Sequence, residues 1–161
     1  MTGDDVPASH TPSGPQDSPG FLLWRTTLRW QRSMATALRP VALTHVQFVL
    51  LASVWWLSDQ AGSHLPPSQR AVARHADVDV MMTSQVLRAL ERRGLLIRAS
   101  DPADARVKRL TMTRDGRRLA ERAVTLVEEA DAEFFGRVST SLPLLEVLRQ
   151  LERGPAVAAE H

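Results

Sequence analysis

Residues 95–113, LLIRASDPADARVKRLTMT, restrict the fold more than any other part of the chain. Two β-prone runs, LLIRAS and VKRLTMT, flank a turn holding Pro102 with the acids Asp101 and Asp104. Asp side chains bond backbone amides in tight turns, so the stretch reads as an antiparallel hairpin. Gly94 stands just before it, in the left-handed position where helices stop. A periodic segment ending at that glycine and a second one starting at Thr113 set the hairpin between two helices.

The rest of the pattern is helical. Leu23, Trp30, Met34 and Leu38 recur at helical spacing and predict a helix over 21–39, ended by Pro40. Thr44 is placed to cap a helix over 45–57, whose near-continuous apolarity implies burial on most sides. SDQAGSHLPP is a loop, with a very short strand expected near His64 and Leu65. Ser68 caps a short helix over 69–75, and Asp79 caps the next, over 80–93. From Thr113 a long helix runs to about Val138 with Leu119, Ala123, Leu126, Ala130 and Phe134 on one face. Ser139 or Ser141 starts a last helix, 142–153, with Pro143 in its first turn and Leu145, Leu148 and Leu151 turned inward.

Two short helices followed by a hairpin read as a winged helix-turn-helix. The expected fold is mainly α with a small β-hairpin wing, flanked by N- and C-terminal dimerisation helices. Residues 1–20 form a disordered tail rich in Gly, Pro and Ser. Residues 21–57 hold the N-terminal helices, 58–112 the winged lobe and 113–153 the C-terminal helices, with a flexible tail over 154–161. The first and last helices carry more apolar surface than so small a core holds. Their expected partner is a second copy of the chain, closed as a symmetric homodimer.

Several classes of function are set aside. Without cysteine there is no disulfide frame, thiolate metal site or cysteine redox switch. The five histidines are scattered, so neither a metal nor a cofactor is expected. The longest apolar block, VQFVLLASVWWL, falls short of the roughly 20 residues a spanning helix needs. No leader-like opening is present, and a cytoplasmic location is expected. There is no Gly-rich phosphate loop, nucleophile elbow or HExxH, and the adjacent Glu128 and Glu129 point to different helix faces, so no enzyme is expected.

Charge points to a polyanion. Residues 88–118 hold ten basic and four acidic residues, whereas the remainder holds ten basic and fourteen acidic. On the helix over 80–93, Thr83, Val86, Leu87 and Leu90 face inward, leaving Ser84, Gln85 and Arg88 outward. Gln suits adenine, Arg guanine and Ser either base or phosphate, and the helix N-terminus favours phosphate. Met81 and Met82 either touch thymine methyls or pack inward. An ordinary amphipathic surface helix fits this segment equally well.

The hairpin tips the balance. Asp104 and Arg106 can pair across the bend, holding an arginine at a narrow tip shaped for a minor groove. Lys108 and Arg109 on the following strand can reach phosphates. A solvated charged loop is the bland account, but here it would have to coincide with a preceding helix-turn-helix. A winged helix that docks a protein rather than DNA is the alternative function, and it has no need of Arg106 or the local positive charge.

TSQVLRALERRGLLIRASDPADARVKRLTMTRDG resembles the MarR family of bacterial transcriptional regulators, through LERRGL, a DPxDxR wing and LTMTRDG. LTHVQFVLL also resembles that family's second helix, and the likeness spans residues 21–153. It implies a homodimer on a pseudo-palindromic operator, with double-stranded DNA as partner and repression as the expected outcome. By position, Arg106 is the wing arginine and Asp104 its partner, while Met81, Met82, Ser84 and Gln85 occupy base-reading positions. Many members bind a small, often aromatic anion where the dimer helices meet the DNA-binding lobe, and then release DNA. Trp24, Trp30, His45, Phe48, Trp55 and Trp56 are the candidate walls of such a pocket, although a tryptophan stripe at helical spacing is more often core than ligand box.

Overall fold

The computed structural model describes Gly14 and residues 18–60, 65–137 and 144–153. Helix α1 (Pro19–Ala37) starts two residues before the expected position, so Pro19 and Gly20 belong to the helix rather than to a disordered tail. Ser18 caps it by accepting from the Phe21 N–H, and Pro19 is tolerated because a first-turn residue has no helical partner for its amide. Pro40 does end the helix, within a 3₁₀ turn (Arg39–Val41). Helix α2 (His45–Gln60) begins with a capping box: Thr44 Oγ1 accepts from Gln47 N–H, and Gln47 Oε1 accepts from Thr44 N–H. It runs three residues beyond the expected end, so Ser58, Asp59 and Gln60 are helical and the proposed boundary at 57/58 falls inside it.

Helices α3 (Gln69–His75) and α4 (Val80–Arg92) follow, joined through Asp77, which takes a left-handed φ of 50°. At the end of α4, Gly94 (φ 70°) donates to Glu91 O while Leu95 N–H reaches Leu90 O. This reversal directs the chain into β1 (Leu96–Ser100), antiparallel to β2 (Lys108–Met112), with Arg98 opposite Leu110. The short strand expected near His64 and Leu65 is displaced. Leu65 is not in a strand, His64 lies outside the described residues, and the pairing is a single bridge between Ser68 and Arg109 beside Leu110 N–H to Pro67 O.

Helix α5 (Arg114–Phe135) is capped by Thr113, whose Oγ1 accepts from Gly116 N–H and donates to Gly94 O. Its buried residues are Gly116, Ala120, Ala123 and Val127, one flank round from the face expected. Of that face only Ala123 is fully buried; Leu119, Leu126, Ala130 and Phe134 are half-buried. Gly116 is needed for contact: a Cβ there would lie 1.8 Å from Leu95 O and 3.0 Å from Met112 Sδ. Helix α6 (Leu144–Arg153) completes the described chain; the expected start at Ser139, Ser141 or Pro143 and the tail over 154–161 lie outside it.

The core is built on Met34, Leu38, Leu50, Leu51, Val54, Val72, Leu87, Leu90, Leu96 and Leu110, all essentially inaccessible. It joins α1, α2 and α5 to α3, α4 and the hairpin in one apolar cluster. Leu145, Leu148 and Leu151, expected inward, stand exposed in the single chain, as do Leu22, Leu23 and Trp24 of α1. Among the described residues no helix is long and apolar enough to cross a membrane.

Candidate nucleic-acid interface

The outward face of α4 follows from its inward one. Thr83, Leu87 and Leu90 are buried, with Val86 half-buried, so residues about half a turn away are carried to solvent. Met81, Gln85 and Arg88 form an exposed stripe at i, i+4 and i+7; Met82 flanks it, and Ser84 is half-buried. Both methionines are exposed, which removes the reading in which one packs inward. Asp79 Oδ1 accepts from Met81 N–H at 2.8 Å and Met82 N–H at 3.0 Å. Its carboxylate thus occupies the helix start where a phosphate was expected, and its charge opposes one.

The turn of the hairpin is organised by two carboxylates in different ways. Asp104 Oδ1 accepts from the Arg106 main-chain N–H at 3.0 Å. The expected bond to the Arg106 guanidinium is therefore replaced by a main-chain turn, and among the described residues that guanidinium has no hydrogen-bond or ion-pair partner. Asp101 does the fastening instead. It accepts from Ala103 N–H at 2.8 Å and from Arg109 Nε at 2.6 Å, while Arg109 Nη1 also donates to Pro66 O at 3.2 Å. The Ala103 amide, then the Arg109 guanidinium, holds the Asp101 carboxyl below its usual range.

Arg109 was expected to reach phosphate; its guanidinium is instead tied between Asp101 and the Pro66 carbonyl. Lys108 remains at the surface, its Nζ donating to Ser100 Oγ at 2.7 Å. A further tie escaped sequence reading. Arg98 pairs with Glu91 of α4 at 3.5 Å and donates to Gln69 Oε1 of α3 at 3.0 Å, so one side chain sets the hairpin against both helices. The Asp101–Arg109 pair had a signal: once the register is drawn, the two are diagonal neighbours on one face. Arg98 had none, because its partners come from separate elements.

The aromatic candidates split into three places. Phe48, Trp55 and Trp56 line a cavity of about 670 Å³ together with His75 of α3 and Val124 and Glu128 of α5. Arg117 lies over the Trp55 ring, 5.5 Å from its centroid, and pairs with Asp59. Trp30 and His45 do not line that cavity. They meet edge to face at 4.9 Å, and Trp30 Nε1 donates to Asp131 of α5 at 2.6 Å. His45 also stacks on Phe48, and its burial there lowers its pKa, with Asp131 pulling the other way. Trp24 is 59% exposed on α1 and joins neither group. Among the described residues no three His, Cys, Asp or Glu side chains converge as metal ligands.

Comparison with known proteins adds to this geometry. A model described as the MarR family matches residues 43–108. An uncharacterized HTH-type transcriptional regulator of Bacillus subtilis, YdcH, is 37% identical over 139 residues, covering 86% of this chain and 92% of that protein. The HTH-type transcriptional repressor Rv2887 of Mycobacterium tuberculosis is 36% identical over 138 residues, 85% of this chain and 94% of its own. Its structure with p-aminosalicylic acid superposes at a TM-score of 0.58, with 32% identity over 84% of this chain and 97% of that one. The repressor CouR, from Rhodococcus jostii RHA1, bound to a 23-mer DNA duplex superposes at 0.71 with 30% identity, covering 86% of this chain and 94% of its own.

Proposed function

The chain belongs to the MarR family of transcriptional regulators, and on that premise we propose that it represses transcription as a homodimer on a pseudo-palindromic operator. The observation that carries this reading is the hairpin tip: two carboxylates shape and fasten the turn, and among the described residues the Arg106 guanidinium has no partner. A free guanidinium on a fastened, narrow hairpin suits the negative potential of a minor groove. The α4 stripe of Met81, Gln85 and Arg88, with Ser84 and Met82 beside it, supplies the major-groove reader. Lys108 adds phosphate attraction, while Asp104 and Arg109 act through the shape of the wing. CouR, whose structure on a DNA duplex is similar, supports the same use of the fold.

The exposed apolar residues of α1 and α6 are the dimer surface in this reading, and the segment from α3 through β2 is the DNA-binding lobe between the two helical segments. The cavity of about 670 Å³ takes a small organic effector against Phe48, Trp55 and Trp56, as the p-aminosalicylic acid complex of Rv2887 suggests. Trp30 and His45 then act on the packing of α1 against α2 and α5 rather than on the ligand. The protein has no catalytic role and works in the cytoplasm. The test is Arg106→Ala. Operator affinity falls tenfold or more, a loss of about 1.5–3 kcal/mol for a hydrogen bond to a charged group, while the dimer persists. Unchanged affinity would remove the wing from the mechanism.

A further inference from the structure

Val80, Met81 and Met82, the first turn of α4, are 51%, 72% and 51% exposed, and Met81 exceeds every other large apolar side chain among the described residues. Exposing three such residues in a row is unfavourable unless something covers them. Met81 shares one exposed stripe of the helix with Gln85 and Arg88, so whatever covers this turn also meets those polar and positive side chains. The turn offers little to a phosphate: the amides of Met81, Met82 and Thr83 are taken by Asp79, whose carboxylate adds negative charge there.

A polyanion surface with an apolar spot and no phosphate is the thymine edge of the major groove, where the C5-methyl group is the one apolar feature. We propose that Met81, flanked by Met82, reads thymine methyls, so that the operator is specified at those positions by methyl contact rather than by hydrogen bonds. This rests on the DNA-binding reading above and assigns the base class that the start of α4 selects. Gln85, one turn further on, then lies beside the neighbouring base pair, where an amide pairs with adenine.

The experiment separates this inference from its premise. The wild-type chain first selects duplexes from a random library. Each thymine of the selected operator is then replaced by deoxyuridine, which keeps every hydrogen bond and loses only the methyl. One or two positions per half-site should weaken binding by about fourfold each, the value of one buried methyl-sized group. Met81→Ala, a change at an exposed position, should weaken the thymine operator and become indifferent to deoxyuridine at that same position. A selected operator that tolerates every deoxyuridine, or a Met81→Ala protein as sensitive as the wild type, overturns methyl reading and leaves DNA binding intact. A selection that recovers nothing overturns both, and the apolar turn then belongs to a partner other than DNA.

Discussion

His45 is the residue whose chemistry most clearly couples to the fold. It is held between the Trp30 edge and the Phe48 face, with Asp131 near enough to act on it through charge. Burial lowers its pKa from the ordinary 6.5 more than Asp131 raises it, so the native state prefers the neutral ring. The unfolded chain therefore binds the proton first as pH falls. The stability gained from neutral His45 is complete above 6.5 and is lost below it. Lowering the pH from about 7.5 to about 5.5 should reduce the melting temperature more in the wild type than in His45→Gln, which carries no titrating ring. Equal slopes would show that His45 does not contribute to the pH dependence. Asp101 is shifted by a different cause: the Ala103 amide and then Arg109 favour its ionised form, so the stability it lends the hairpin is lost as pH falls through its lowered pKa.

At the scale of elements, the decisive contact is between the start of α5 and the exit of α4. Thr113 caps α5 and reaches back to Gly94 O, while Thr113 N–H donates to Leu95 O. This leaves Gly116 against the Leu95 backbone with no room for a Cβ. Gly116→Ala raises helix propensity yet should destabilise the protein by roughly 1–3 kcal/mol, because backbone rather than a flexible side chain must move. Chemical denaturation measures the loss directly; a neutral or stabilising result would mean that α5 can slide without cost. The same junction matters for DNA, since β1, β2 and α4 all lean on it, and Arg98 ties β1 to α4 through Glu91 and to α3 through Gln69. A shift of α5 would therefore be felt by both candidate reading elements.

For the whole molecule, exposed apolar residues cluster on the first and last helices, apart from the start of α4 and scattered residues such as Trp56, Leu65 and Ile97. Phe21, Leu22, Leu23 and Trp24 on α1, and Leu145, Leu148 and Leu151 on α6, are all exposed in the single chain. A homodimer that buries them also sets the spacing between its two α4 helices, on which a pseudo-palindrome depends. Replacing Leu145 and Leu151 by glutamate should convert the dimer to monomer in sedimentation and lower operator affinity by at least tenfold, since each half-site is then bound alone. A dimer that survives both changes would place the interface elsewhere.

Local chemistry decided much of this protein before any packing was considered. The caps at Thr44, Ser68 and Asp79, the stop at Gly94 and the hairpin around Pro102 are each set by neighbours a few residues apart, and they were legible in the sequence for that reason. The exposed stripe Met81, Gln85 and Arg88 was legible too, because helical period alone opposes it to Thr83, Leu87 and Leu90. What the sequence left open were choices among chemically equivalent partners. Asp101 and Asp104 are both acids beside the same arginines, and only the folded turn gives Arg109 to one and the Arg106 main-chain amide to the other. The aromatic residues were indistinguishable by period, yet packing sent Trp30 to Asp131, Trp55 to the cavity and Trp24 to the surface. Arg98 could not be singled out at all, because its bonds span residues 69 to 98 and exist only once three elements have met.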